Sequence, residues 1–151
     1  KDRPVGQSIE KEGFPMVKVI MGLKGSGKTK QLIQSINEAI ATESGSMVCI
    51  EKGNKLTFDI DYRVRLIEAS EYEMGSYTFL KGFISGLHAG NFDISHIFID
   101  GLYRVAGQAD ASGLEPFLDW CAEFGKVNSI RFTIIVSDDP ANVPESVKKY
   151  F

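Results

Sequence analysis

No apolar run in the chain approaches the ~20 residues that a bilayer crossing needs, and no signal-peptide pattern opens the sequence. Cysteine is scarce. Cys49 and Cys121 are the only two of 151 residues, and they form neither a CxxC pair nor a Cys/His ligand cluster. That excludes a disulfide scaffold and a zinc-finger-like site. Each cysteine sits within an apolar or helical pattern, so buried free thiols and a reducing cytoplasm are expected. No Lys/Arg run occurs and the net charge is -3, which gives no electrostatic ground for a nucleic-acid or acidic-membrane partner. The chain also lacks a repeat at the period of about 20–50 residues that a solenoid would show. It has no low-complexity tract or interior linker either.

An ordinary globular composition remains, 43% hydrophobic and 25% charged, in a chain long enough for one domain with a real core. Residues 1–15 are polar, with two prolines and two glycines. They read as a flexible leader, an engineered remnant or a peripheral segment, and residues 16–151 as the domain. Short β-branched runs at 16–21, 46–50, 64–68, 96–100 and 131–136 predict strands. Between them, apolar residues at helical spacing predict helices over 28–42, 76–90 and 114–124. A short last helix is expected from Pro140 or Pro144. Gly82 and Gly86 weaken the second helix, and close packing is their expected justification. Continuous apolar strands alternating with amphipathic helices predict an α/β fold of three layers, mainly parallel, with helices on both sheet faces.

The segment Gly22-Leu23-Lys24-Gly25-Ser26-Gly27-Lys28-Thr29 stands between the first strand and the first helix. Its spacing, glycine, four residues, then Gly-Lys-Thr, has a physical purpose. Glycines let the backbone wrap an anion with no Cβ in the way, and successive N–H groups then converge on it. The following helix aims its positive end at the same point. Lys28 would reach the β- and γ-phosphates, and the Thr29 hydroxyl would hold Mg²⁺. Asp100 ends the apolar run His96-Ile97-Phe98-Ile99, where a second metal-binding acid belongs; an ordinary Asp-Gly turn is the alternative.

These two elements resemble the Walker A and Walker B motifs of the P-loop NTPase superfamily. Roughly seventy residues lie between them, a spacing similar to the branch of RecA-like ATPases and thymidine-kinase-type enzymes. The resemblance implies ATP, or another NTP, with Mg²⁺ as ligands. It also implies a glutamate that activates water. Gly101 occupies the position directly after Asp100, so Glu51 and Glu68 are the candidates, with a solvated loop carboxylate as the other reading of each. Asp61-Tyr62-Arg63 resembles an Asp-x-Arg of thymidine kinases, but that family's cysteine quartet and its Asp-Glu pair have no counterpart here. Asn54-Lys55-Leu56-Thr57 is similar to a guanine-reading motif without its final Asp, so ATP is favoured over GTP.

Lesser candidates follow. Lys24 is a surface lysine or a phosphate contact, and Arg104 a surface residue or an arginine finger within the chain or across a subunit contact. Ser137 or Asp138 senses the γ-phosphate or caps the turn at Pro140. His88 and His96 have no evident partners and receive no role. The leading functional expectation is nucleotide-dependent switching or assembly with slow hydrolysis, with loops 52–64 and 101–112 reordering and a homo-oligomer or another protein as partner. The alternatives are phosphoryl transfer to a small acceptor and a nucleotide-bound subunit that does not turn over.

Overall fold

A computed structural model describes residues 15–53, 56 and 59–151. The expectations for residues 1–14, and for Asn54, Lys55 and Thr57, fall outside the described residues. Five strands form one sheet: β1 (Val17–Gly22), β2 (Ser46–Glu51), β3 (Val64–Glu68), β4 (Ile94–Asp100) and β5 (Arg131–Ser137). All pairings are parallel, and the spatial order is β1-β5-β4-β2-β3. The strand carrying Asp100 is therefore separated from the glycine-loop strand by β5.

The helices are α1 (Lys28–Thr42), α2 (Tyr77–Gly90), α3 (Leu102–Val105) and α4 (Leu114–Asn128). Alternation of side chains along each strand divides the core in two. On one face Ile20, Met47, Cys49, Phe98 and Ile135 pack with Leu32, Ile36 and Ala39 of α1. On the other, Val19, Val48, Ile50, Ile97, Ile99 and Ile134 pack with Leu80 and Ile84 of α2 and with Phe117, Leu118 and Cys121 of α4. Burial of each large aliphatic side chain contributes about 1.5–3 kcal/mol, so the two clusters fix which helix covers which face. The architecture is thus the expected α/β sandwich, with all five strands parallel and helices on both sides. Both cysteines are buried and free. No helix among the described residues is long and apolar enough to cross a membrane.

The differences from the sequence expectations have local causes. Segment 101–112, expected to be irregular, begins with α3, which is anchored by the wholly buried Leu102 and Ala106. Four residues make one turn, too short to display a helical period. The expected final helix is instead two 3₁₀ segments, Pro140–Asn142 and Glu145–Tyr150, each entered through a proline.

Gly82 and Gly86 are not closely packed, because a Cβ at either position would meet nothing within 4 Å. Without contact to protect, alanine at each site should stabilise the chain by about 0.5–1 kcal/mol through backbone entropy. Denaturant melts of Gly82→Ala and Gly86→Ala test this; a fall in stability would show that the open face is required by something it meets.

His96, which received no role from the sequence, lies toward the amino end of β4 in a polar cluster. Its Nδ1 is 2.9 Å from Glu43 Oε2, and its Nε2 is 2.8 Å from Thr133 Oγ1. Glu43, the residue that closes α1, also accepts from Arg131 at 2.8 Å and from Ser95 Oγ at 2.9 Å. His88 instead sits between the rings of Phe92 and Phe124. Neither histidine lies among the residues lining the cleft beside the glycine loop.

Candidate functional site

The site is built where β1 runs into α1. Gly25 and Gly27 both have φ of 86°, a left-handed conformation that side chains rarely adopt. No heavy atom lies within 4 Å of a Cβ built on either, so the loop backbone is open to an approaching group. At Gly22 the constraint is internal, because a Cβ would stand 2.5 Å from Ser26 Oγ. The turn is closed by Ser26 N–H donating to the Leu23 carbonyl at 3.1 Å. Lys28, only 8% exposed, folds back over the loop and donates from Nζ to the same carbonyl at 2.9 Å.

α1 starts in an electrostatically unusual way. Its cap residue Gly27 offers no side-chain hydrogen bond, and the first turn contains no acid. Lys28 and Lys30 occupy that turn instead. A helix start is the positive end of its dipole and ordinarily favours Asp, Glu or a capping oxygen. Two cations and uncapped N–H groups at this point leave a deficit of negative charge, which an external anion would supply.

A cleft of about 690 Å³ opens beside this loop, within the range of small-molecule sites. Lys24, Gly25, Gly27, Lys28 and Thr29 line one wall. Asp100, Gly101, Tyr103 and Arg104 line another, and Ile135 and Ser137 of β5 also contribute. Of the loop expectations, Gly22, Leu23 and Ser26 shape the turn rather than line the cleft. Leu23 presents its side chain to solvent at 59% exposure. Lys24 is exposed and on the wall, which places its ammonium within the cleft's surroundings. Asp100 is 9% exposed and is followed by Gly101 in the left-handed region, where the chain turns into α3.

Parallel register sets a row of polar residues at the strand ends. Glu51 is paired with Asp100 across β2 and β4, and Glu68 with Glu51 across β3 and β2. Gly22 is likewise opposite Ser137. The row follows the face covered by α1, since each residue lies two positions beyond a residue of that core. Cys49 senses the same row. Burial raises its thiol pKa far above the ordinary range, and the charges of Asp100 and Glu51 raise it further, so it is an inert core residue.

Glu51 is not a solvated loop carboxylate. It is 2% exposed, and its Oε2 accepts from Leu56 N–H at 3.2 Å. It lines a neighbouring cavity of about 330 Å³ together with Arg65, Glu68 and Tyr72, rather than the cleft of Lys28 and Asp100. Glu68 is occupied locally: it accepts from Gly53 N–H at 2.6 Å and from both the backbone and hydroxyl of Ser70. The Ser70 hydroxyl and backbone bonds outweigh desolvation and, with Gly53 and Lys52, hold its carboxyl below the usual range. Such a carboxylate is a poor proton acceptor.

Next to Ser137, and outside the cleft lining, Asp138 is a structural anchor. Its Oδ2 accepts from Tyr103 Oη at 2.7 Å, and its Oδ1 accepts from Asp139 N–H and from Asn142. Burial pushes its pKa up, but these bonds prevail and keep it ionised below the ordinary carboxyl value. Asp139, not Asp138, caps the turn at Pro140, through Ala141 N–H at 2.9 Å. Ser137 is exposed at the cleft and is the remaining polar candidate on β5. Arg63, of the Asp61-Tyr62-Arg63 segment, donates to the Ile40 carbonyl at 2.8 Å.

Tyr103 was not singled out by the sequence. Its position three residues after Asp100 becomes informative only once α3 is seen to turn it toward β5.

For a cation, the oxygen donors expected from the sequence, Thr29 and Asp100, both line the cleft, together with the hydroxyl residues Tyr103 and Ser137. Among the described residues, no three His, Cys, Asp or Glu side chains gather to hold a metal unaided. That donor set fits Mg²⁺, which is commonly held by one or two carboxylates together with substrate phosphates. No family model matches the chain, and no curated protein matches it.

Proposed function

We propose that the chain binds a nucleoside triphosphate with Mg²⁺ in the 690 Å³ cleft, and that slow hydrolysis makes it a nucleotide-dependent switch or assembly ATPase. The carrying observation is the start of α1: an open glycine loop, a helix start with no side-chain cap, and Lys28, which shares one cleft with the Asp100 carboxylate. Loop amides and Lys28 neutralise the phosphates, while Thr29 and Asp100 hold the cation that travels with them. Bound Mg²⁺ supplies charge neutralisation of the phosphate oxygens. The resemblance of the loop to Walker A makes ATP the first nucleotide to try, and GTP the second.

Glu51, which lines the neighbouring cavity and is the register partner of Asp100, is the residue that the Walker resemblance assigns to orient water from beside the cleft. It adjoins Asp100 in register and its burial keeps it in place, whereas Glu68 is held by its own turn. Glu51→Gln retains an acceptor for Leu56 N–H but removes the base. We expect unchanged Mg-ATP affinity and phosphate release lowered at least 100-fold. Equal release by the variant would make Glu51 an anchor of its loop and leave turnover to another group.

The deciding experiment for the function is titration calorimetry with Mg-ATP and Mg-GTP, run beside a phosphate-release assay. Heat of binding with release of phosphate supports the reading. Binding without release supports a nucleotide-bound subunit that does not turn over. Absence of binding to both nucleotides overturns the proposal.

A further inference from the structure

Resting on the nucleotide reading above, we infer that Arg104 is the positioning residue that reports the terminal phosphate to the loop following β2. Arg104 lines the same cleft as Lys28, Thr29 and Asp100, and its side chain is exposed there. It lies against Gly101, where a built Cβ would be 3.4 Å from its Nε, so the glycine after Asp100 leaves room for the guanidinium. Its Nη2 donates to the Lys52 carbonyl at 3.0 Å. Arg104 therefore bridges the cleft to a segment outside it.

The segment it reaches is stitched at three consecutive residues. Glu51 holds Leu56 N–H, Lys52 carbonyl is held by Arg104, and Gly53 N–H is held by Glu68. Of the three stitches, only the one from Arg104 originates on the cleft wall. α3 gives that stitch a firm base: Leu102 and Val105 are buried, and Tyr103 ties the turn to Asp138.

The Lys52 carbonyl is a neutral acceptor. A terminal phosphate is a charged one, and charge-assisted bonds to a guanidinium are about twice as strong. With a triphosphate in the cleft, Arg104 gives up the Lys52 carbonyl for the terminal phosphate. With a diphosphate it has no such partner and stays on Lys52. The loop after β2 is then released in one nucleotide state and held in the other, and Glu51, the residue before Lys52, is at its root. This places the switching element at Lys52 and Gly53, directly after β2, and makes Arg104 on α3 its trigger.

The test compares the parent chain with Arg104→Ala and Arg104→Lys, using Mg-ADP and a non-hydrolysable Mg-ATP analogue. Calorimetry gives the two affinities, and amide hydrogen exchange reports on residues 52–60. We expect Arg104→Ala to weaken the triphosphate analogue roughly 10- to 100-fold and to leave Mg-ADP within about twofold. In the parent, residues 52–60 should exchange faster with the analogue than with Mg-ADP. In Arg104→Ala they should exchange fast with both. Arg104→Lys keeps the charge but not the fork, and should fall between the two. If both nucleotides weaken equally, or if exchange at 52–60 is the same in the two parent complexes, the inference fails while nucleotide binding stands. If the parent binds neither nucleotide, the functional reading fails and the inference with it.

Discussion

Replacing Lys28 with alanine should abolish measurable Mg-ATP binding, lowering affinity at least about 100-fold, while leaving the folded state nearly as stable as before. The two halves of this expectation come from the same contact. Nζ of Lys28 bonds to the Leu23 carbonyl at 2.9 Å, on a loop whose Leu23 side chain is 59% exposed. After truncation that carbonyl can take a water molecule, so the cost to stability should be below ~1 kcal/mol. No water replaces the cation at the phosphates as effectively, because Lys28 is the cationic side chain that the loop itself shelters at 8% exposure. Calorimetry and a thermal melt on the same sample separate the outcomes. Lost binding with an unchanged melt establishes the loop as the anion site. Retained binding would move the nucleotide elsewhere on the molecule.

The second large effect lies at the other end of the sheet. Glu43→Ala should destabilise the fold by about 3 kcal/mol. The carboxylate is 11% exposed and satisfies His96, Arg131 and Ser95 at once, joining the end of α1 to the starts of β4 and β5. Removing it leaves His96 buried beside Phe98 with Thr133 as its hydrogen-bond partner among the described residues, and leaves Arg131 without the carboxylate. Because Arg131 is 34% exposed, water recovers part of its loss, which keeps the cost toward the lower end for a buried pair.

This cluster also predicts a pH dependence. Burial raises the Glu43 pKa, but bonds and charge from His96, with the bonds from Ser95 and Arg131, overcome it and leave the carboxyl below its ordinary value. A carboxyl depressed in the fold releases its proton more readily there than in the unfolded chain. Its contribution is complete above the unfolded value of about 4.3 and is lost as pH falls through the lower folded value. Urea melts between pH 3 and 6 should therefore show the parent losing stability at the acid end, with a flatter curve for Glu43→Gln. Parallel curves would place the acid sensitivity in other carboxylates.

Several elements were legible in the sequence because their signals are local. The glycine loop declares itself through spacing, and its strand and helix through period. Asp100 could be read as the polar end of an apolar run. Glu43 could not be read at all: its partners are 52, 53 and 88 residues away and meet it only when three elements converge. The same limit applied to Glu68, whose role follows from a bond to Gly53, and to Asp138, whose partner Tyr103 stands 35 residues earlier. Gly82 and Gly86 illustrate the opposite error. Glycine within a helix suggests a close neighbour, but only the packing shows that none is there.

By itself the sequence determined the fold class, the strand order along the chain and the position of the glycine loop, since each depends on hydrophobic period or backbone freedom within a few residues. Tertiary structure decided the rest. Inserting β5 between β1 and β4 formed the wall that carries Ser137, and parallel register set Glu51 beside Asp100. The turn into α3 carried Tyr103 and Arg104 into the lining of the cleft, where they bond Asp138 and Lys52. Those placements depend on which strands pair and on where side chains far apart in sequence find partners, energies that no local window contains.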